Sequence, residues 1–209
     1  MRTRVKFCGL TRLADVDAAV ALGVDAVGLV FHSASPRAVD AEQAAALVAA
    51  VPAFVTAVGL FVDAEADRVR AVLERVPLGA LQFHGKEPAD YCRSFGRPWI
   101  KSVAVRAGVD LEAEAQRYAG ATALLLDTYD PALAGGTGRR FDWDLVPAQQ
   151  AQRMILAGGL SAANVADAIR QLRPYAVDVS GGIERAKGVK DPDKMTDFMK
   201  GVRDGDQSG

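Results

Sequence analysis

The chain has 209 residues, half of them hydrophobic, with a formal net charge of −1 and two cysteines, Cys8 and Cys92. A chain of this length buries roughly 70% of its unfolded surface, and one domain is the default. The near-neutral balance argues against nucleic acid or an anionic membrane as the main partner, no apolar run reaches bilayer-spanning length, and two cysteines make no disulfide framework.

The N-terminus enters a strand at Arg4-Val5 without a signal-peptide apolar region, so a cytoplasmic location is expected. Apolar runs rich in Val, Leu, Ile and Phe predict strands near residues 5–10, 26–31, 54–62, 79–84, 99–105, 123–128, 153–158 and 176–180. Amphipathic helices fall between them. Val69, Val72, Leu73 and Val76 repeat at helical spacing, as do Val165, Ala168, Ile169 and Leu172, and Met195, Phe198, Met199 and Val202. Such stripes read as packing faces and carry no chemistry.

Boundary residues agree with that division. Asp40 with Gln43 approximates a capping box, Ser161 is placed to cap the helix after Leu160, and Asp191 precedes Pro192 at a first helical position. Gly23 and Gly96 fit helix C-termini. No linker divides the chain, so residues 1–203 are expected to form one domain, with 204–209 as a frayed tail. Eight strands alternating with helices predict an α/β fold, a single-domain (β/α)₈ TIM barrel. An open doubly wound sheet is the alternative; its usual GxGxxG after the first strand is here Cys8-Gly9-Leu10-Thr11.

A barrel puts its chemistry at the C-terminal ends of the strands and its phosphate site after strands seven and eight. Strand one delivers Cys8 to that end, where it reads either as a small core residue or as a working thiol. Cys92 lies within a helix and reads as core. Arg37, after strand two, is read either as a bidentate partner for a substrate carboxylate or phosphate or as a solvated surface residue. His84, after strand four, either donates to substrate or makes a structural hydrogen bond.

Strand six, Ala123-Leu124-Leu125-Leu126-Asp127-Thr128, ends in an acid followed by the loop Gly135-Gly136-Thr137-Gly138, the pattern of an active-site edge or of a plain turn. Gly158-Gly159 follows strand seven, and Ser180-Gly181-Gly182 follows strand eight. Glycine pairs at both places are what a backbone phosphate cradle requires. Asp178 is expected at the barrel top, near substrate or orienting a neighbour.

These segments together resemble the phosphoribosylanthranilate isomerase family of tryptophan biosynthesis. The likeness rests on Lys6-Phe7-Cys8-Gly9-Leu10-Thr11, Ser35-Pro36-Arg37, Leu81-Gln82-Phe83-His84-Gly85, Leu126-Asp127-Thr128, Phe141-Asp142-Trp143, Leu156-Ala157-Gly158-Gly159-Leu160 and Val177-Asp178-Val179-Ser180, in the family's order. The resemblance implies an Amadori rearrangement of N-(5-phosphoribosyl)anthranilate to its 1-deoxyribulose 5-phosphate isomer. It implies Cys8 as general base, Asp127 as general acid and Arg37 as the carboxylate-binding residue. It implies phosphate contacts around Gly136, Thr137, Gly158, Gly159, Ser180 and Gly181, with Gly182 beside them.

The rearrangement needs such a pair of groups. Protonation of the furanose oxygen opens the sugar to an iminium, and a base then removes the acidified C2 proton. The acid must hold a proton near neutral pH, so a raised Asp127 pKa in the complex is expected. A thiol is mostly protonated there, so a lowered Cys8 pKa is expected to help, with Lys6 on the same strand face as a weak candidate cause. The substrate supplies its own electron sink, so no metal and no organic cofactor is expected. The implied partner is a small molecule bearing phosphate and carboxylate, and the chain is expected to be a monomer or homodimer.

This sequence departs from the family at Ser180-Gly181-Gly182-Ile183-Glu184, where Ser-Ser-Gly-Val-Glu is common, and at Ala186-Lys187-Gly188-Val189-Lys190-Asp191, leaving the role of Glu184 open. The rival readings are the histidine-pathway isomerase or a dual-substrate relative, a non-catalytic phosphate-binding barrel, and a thiol redox protein. Cys8 at strand one argues against the first two, which resemble each other in using aspartates for both roles. The absence of Cys-x-x-Cys argues against the last.

Overall fold

The computed structural model describes residues 2–128, 142–146, 151 and 153–207. Eight parallel strands close in sequence order into a barrel: β1 (Arg4–Cys8), β2 (Ala26–Val30), β3 (Thr56–Phe61), β4 (Ala80–Phe83), β5 (Trp99–Val105), β6 (Ala123–Thr128), β7 (Met154–Leu156) and β8 (Ala176–Val179). The described helices are α1 (Leu13–Leu22), α2 (Ala41–Ala49), α3 (Ala66–Arg75), α4 (Ala89–Arg93), α5 (Leu111–Arg117), α6 (Val165–Leu172) and α7 (Pro192–Gln207). A short antiparallel hairpin, β9 (Glu184–Ala186) and β10 (Val189–Lys190), stands between β8 and α7.

All eight predicted strands are present, and the barrel replaces the open-sheet alternative. The third is shorter than expected. Val55 N–H closes a turn onto Pro52 O at 3.0 Å, which leaves Phe54 fully exposed outside β3. Strand alternation divides the apolar residues into two cores. Val58, Ala80, Ile100, Leu125, Ile155 and Ala176 cluster inside the barrel, while Phe7, Leu81, Phe83 and Leu126 belong to the larger layer beneath the helices.

The helical stripes pack as their spacing requires. Val165, Ala168, Ile169 and Leu172 of α6 are buried, as are Met195, Phe198, Met199 and Val202 of α7. The two helices touch closely: a Cβ on Gly201 would lie 2.7 Å from Val165 Cγ1, and one on Gly205 2.8 Å from Ile169 Cβ. Alanine at either position would push them apart.

Most end signals hold. Asp40 accepts from Gln43 N–H at 2.8 Å, and Asp191 accepts from Asp193 and Lys194 N–H at 3.0 and 3.2 Å. Gly23 closes α1 with a φ of 82°, and Gly96, at 62°, turns the chain just past α4. Three details differ. The Gln43 side chain donates to Thr11 O at 2.8 Å instead of returning to Asp40, so the capping box is only half made. Ser161 does not cap α6; Asn164 precedes the helix, and its Oδ1 accepts from Ser161 N–H at 2.9 Å to form a turn of its own. Residues 204–207 are the end of α7 and not a frayed tail. Asp206 accepts from Thr3 N–H at 3.0 Å and Thr3 Oγ1 at 2.7 Å, tying the helix to the start of β1.

Candidate active site

The C-terminal ends of the strands surround a cavity of about 280 Å³. Cys8, Arg37, His84, Asp127, Gly158, Gly159, Asp178, Ser180, Gly181 and Gly182, all predicted from sequence, line it together. Gly136 and Thr137, the other two predicted phosphate residues, lie outside the described residues.

Asp127 is the penultimate residue of β6, on its inner face, and is 7% exposed. Its Oδ1 accepts from Thr128 N–H at 2.8 Å, and its Oδ2 lies 3.1 Å from His84 Nε2. Gln82 Nε2 approaches His84 Nδ1 at 3.2 Å, and Ser102 Oγ approaches His84 Nε2 at 3.3 Å. With the Gln82 amide donating to Nδ1, Nε2 carries the ring proton and donates it to Asp127. His84 therefore makes the structural hydrogen bond, and its partner is the candidate acid itself.

The loop bearing His84 is held from outside the barrel. Lys101, on the outer face of β5, donates to Gly85 O at 2.6 Å and pairs with Glu87 at 3.0 Å. Glu87 in turn accepts from the N–H groups of Asp63 and Gly85. A buried pair with every polar atom engaged fixes a loop firmly.

Cys8 ends β1 on the inner face, 5% exposed. Lys6, two residues earlier on that face, pairs with Asp178 of β8 at 2.9 Å. A Cβ on Gly28 of β2 would lie 2.7 Å from Cys8 Sγ and 3.1 Å from Lys6 Cε, so both side chains pack against that bare backbone. Burial pushes the Cys8 thiol above its ordinary range, and Lys6, although it pulls the other way, does not outweigh it. This corrects the expectation of a lowered thiol. The ammonium beside Cys8 is real, but it is committed to Asp178. Cys92 is fully buried, and desolvation pushes it up to about 11.

Arg37 is 9% exposed, which excludes the solvated-surface reading. Its Nε and Nη2 donate to Glu184 Oε1 and Oε2, both at 2.8 Å. Glu184 also accepts from Lys190 Nζ at 2.9 Å, and Lys190 donates to Ser180 O at 3.1 Å. Burial works against the Glu184 charge, yet the Arg37 hydrogen bond and the Lys190 ammonium overcome it and hold the carboxyl below its ordinary range. Lys190 is fully buried, and desolvation lowers its ammonium despite Glu184.

A glycine in each of the two rims is sterically required. Gly158 has a φ of 76°, and a Cβ there would lie 2.6 Å from Thr128 N and 2.9 Å from Asp127 Oδ1. A Cβ on Gly182 would collide with the Leu160 carbonyl. The two predicted cradle loops therefore touch each other and the candidate acid.

Sequence reasoning gave no role to Gln82, Ser102, Glu184 or Lys190. Gln82 carried a weak signal: a buried amide two residues before His84 on an inward-facing register. Its Oε1 is buried with no partner among the described residues. Lys190 carried none, since a lone lysine in a polar stretch reads as solvated. Among the described residues no three His, Cys, Asp or Glu side chains group as metal ligands, and no helix is long and apolar enough to cross a membrane.

Residues 5–201 match the family model described as N-(5'phosphoribosyl)anthranilate (PRA) isomerase. A Pseudomonas putida protein named N-(5'-phosphoribosyl)anthranilate isomerase is 56% identical over 200 residues, covering 96% of this chain and 97% of its own length. The solved phosphoribosyl anthranilate isomerase from Thermotoga maritima is similar with a TM-score of 0.87 and 39% identity, over 96% of this chain and 98% of that one. A phosphoribosyl anthranilate isomerase solved with reduced 1-(o-carboxyphenylamino)-1-deoxyribulose 5-phosphate gives a TM-score of 0.84 and 38% identity, with the same coverage.

Proposed function

The chain belongs to the N-(5'-phosphoribosyl)anthranilate isomerase family and is an isomerase of tryptophan biosynthesis, and from that premise we propose how its cavity performs the Amadori rearrangement. Asp127 donates a proton to the furanose ring oxygen, and the sugar opens to an iminium. The carboxylate left behind accepts hydrogen bonds from Thr128 N–H and His84 Nε2, two donors already aimed at it. Cys8 then takes the C2 proton, and the resulting enolamine tautomerises to the ketose.

In the free protein burial disfavours the Cys8 thiolate more than Lys6 favours it, so the form that takes the C2 proton is the minority in which the thiol has already released its proton to solvent. The iminium made in the first step adds a cation beside it, which favours the thiolate when it is needed. Arg37 binds the anthranilate carboxylate, and the rims around Gly158-Gly159 and Ser180-Gly181-Gly182 take the phosphate, with Gly136 and Thr137 proposed as further contacts. The substrate's iminium supplies the electron sink, so the proposed steps use side chains alone.

The observation that carries this reading is convergence. Ten residues that the sequence pattern marks for chemistry, drawn from the ends of six strands and the loops after them, line one cavity. The test is a fluorescence time course with purified protein and phosphoribosylanthranilate as sole substrate. Decay of substrate fluorescence is expected, with the aminoimidazole ribonucleotide of the histidine pathway inert. No decay would end the proposal. Sedimentation of the same sample decides between the monomer and homodimer that the reading allows.

A further inference from the structure

A guanidinium offers two edges that can grip a carboxylate bidentately, Nε with Nη2 and Nη1 with Nη2. In this protein the first edge of Arg37 is occupied by Glu184 at 2.8 Å on both contacts. Arg37 lines the cavity, whereas Glu184 and Lys190 do not, so whatever Glu184 does for substrate it does through Arg37. We propose that Glu184 is a positioning residue that presents the Nη1/Nη2 edge of Arg37 to the substrate carboxylate, and that Lys190 offsets the charge Glu184 brings. This rests on the reading of Arg37 as the carboxylate site.

Three features make the arrangement more than a staple for the β9–β10 hairpin. The Arg37 stem runs over Gly9, where a Cβ would lie 2.5 Å from Arg37 Cδ, so the β1 loop is cleared for this one path. Arg37 and Glu184 alone would sum to zero charge and attract a second carboxylate poorly. Lys190 restores a net positive cluster, and its ammonium is spent on Glu184 Oε1 at 2.9 Å, Ser180 O at 3.1 Å and Ser180 Oγ at 3.4 Å. Through Ser180 the same lysine reaches the rim proposed for phosphate, so the supports of both anion sites meet at one buried cation.

The test uses two ligands and measures binding by calorimetry: reduced 1-(o-carboxyphenylamino)-1-deoxyribulose 5-phosphate, and its counterpart lacking the ring carboxylate. In the native protein the carboxylated ligand binds more tightly, and in Arg37→Ala that advantage disappears. Glu184→Gln is expected to remove most of the advantage, to raise KM for phosphoribosylanthranilate about tenfold and to change kcat by less than about threefold. In the Arg37→Ala background, Glu184→Gln is expected to add nothing further.

If Glu184→Gln weakens both ligands equally, or keeps the full advantage while Arg37→Ala loses it, the positioning role is wrong. If Arg37→Ala itself keeps the advantage, the carboxylate reading is wrong and the proposal goes with it. Glu184→Gln strands two buried cations; should it not fold, Glu184→Gln/Lys190→Met removes one of them and gives the same comparison.

Discussion

Lys6 of β1 and Asp178 of β8 meet at 2.9 Å inside the barrel, on the first and last strands of the closed sheet. The register sets them directly opposite each other, and both are buried, Asp178 on the cavity lining and Lys6 beside it. The pair thus closes the ring of strands at the level where the interior changes from apolar to polar.

Breaking that pair strands a charge. Lys6→Met leaves Asp178 buried without its cation and is expected to lower stability by roughly 3–5 kcal/mol, read from urea unfolding. Adding Asp178→Asn should recover a large part of the loss. A stability unchanged in the single variant would show that water already reaches Asp178.

For the reacting groups, Cys8→Ala is expected to lose a factor on the order of 10²–10⁴ in kcat, and Asp127→Asn at least as much. Both should keep the native circular dichroism spectrum. Native turnover by either variant would remove that residue from the mechanism.

The pH dependence follows from burial. The Cys8 thiol lies above its ordinary range in the free protein, so its thiolate fraction, and with it the alkylation rate by iodoacetamide, should still be climbing through the alkaline range where a free thiol has levelled off. The profile of kcat/KM, which reports the free enzyme, should rise in the same direction. Cys92, pushed up to about 11 and fully buried, should stay unlabelled. A Cys8 profile that levels off near neutrality would mean that Lys6 dominates burial after all.

Arg37→Ala should raise KM more than it lowers kcat, because a carboxylate far from the reacting carbon is held equally in ground and transition states. An unchanged KM would place Arg37 outside the substrate's reach.

Gly158→Ala combines backbone strain with intrusion on the acid. A residue forced to a φ of 76° costs about 1–3 kcal/mol. The added methyl also lies 2.9 Å from Asp127 Oδ1. Both thermal stability and kcat are therefore expected to fall, whereas a change in stability alone would separate the cradle from the acid.

The alternation of Ala80, Gln82 and His84, along β4 and just past its end, shows how much the chain declares locally. Period-two patterning set which side chains face inward, and helical stripes such as Val165, Ala168, Ile169 and Leu172 set which face each helix buries. Strand count, barrel class and the residues at the strand ends were therefore legible, because each depends on spacing within a few residues. Phe54, Ser161 and the tail at 204–207 were misjudged because their fates depend on what the neighbouring segment does: a turn at Pro52, a turn at Asn164, and an acceptor at Asp206 for the start of β1.

The sequence by itself determined the eightfold alternation, the glycine-rich rims and the placement of Cys8 and Asp127 at strand ends and of Arg37 in the loop after β2, since secondary structure and turn chemistry act over short range. Only the tertiary structure decided who stands next to whom. Arg37 and Glu184 are 147 residues apart and Lys6 and Asp178 172 apart, yet each pair touches. Electrostatics acts through space, so whether the Cys8 thiol sits above or below its ordinary range depended on how far burial outweighs one nearby ammonium, a balance that no local pattern encodes.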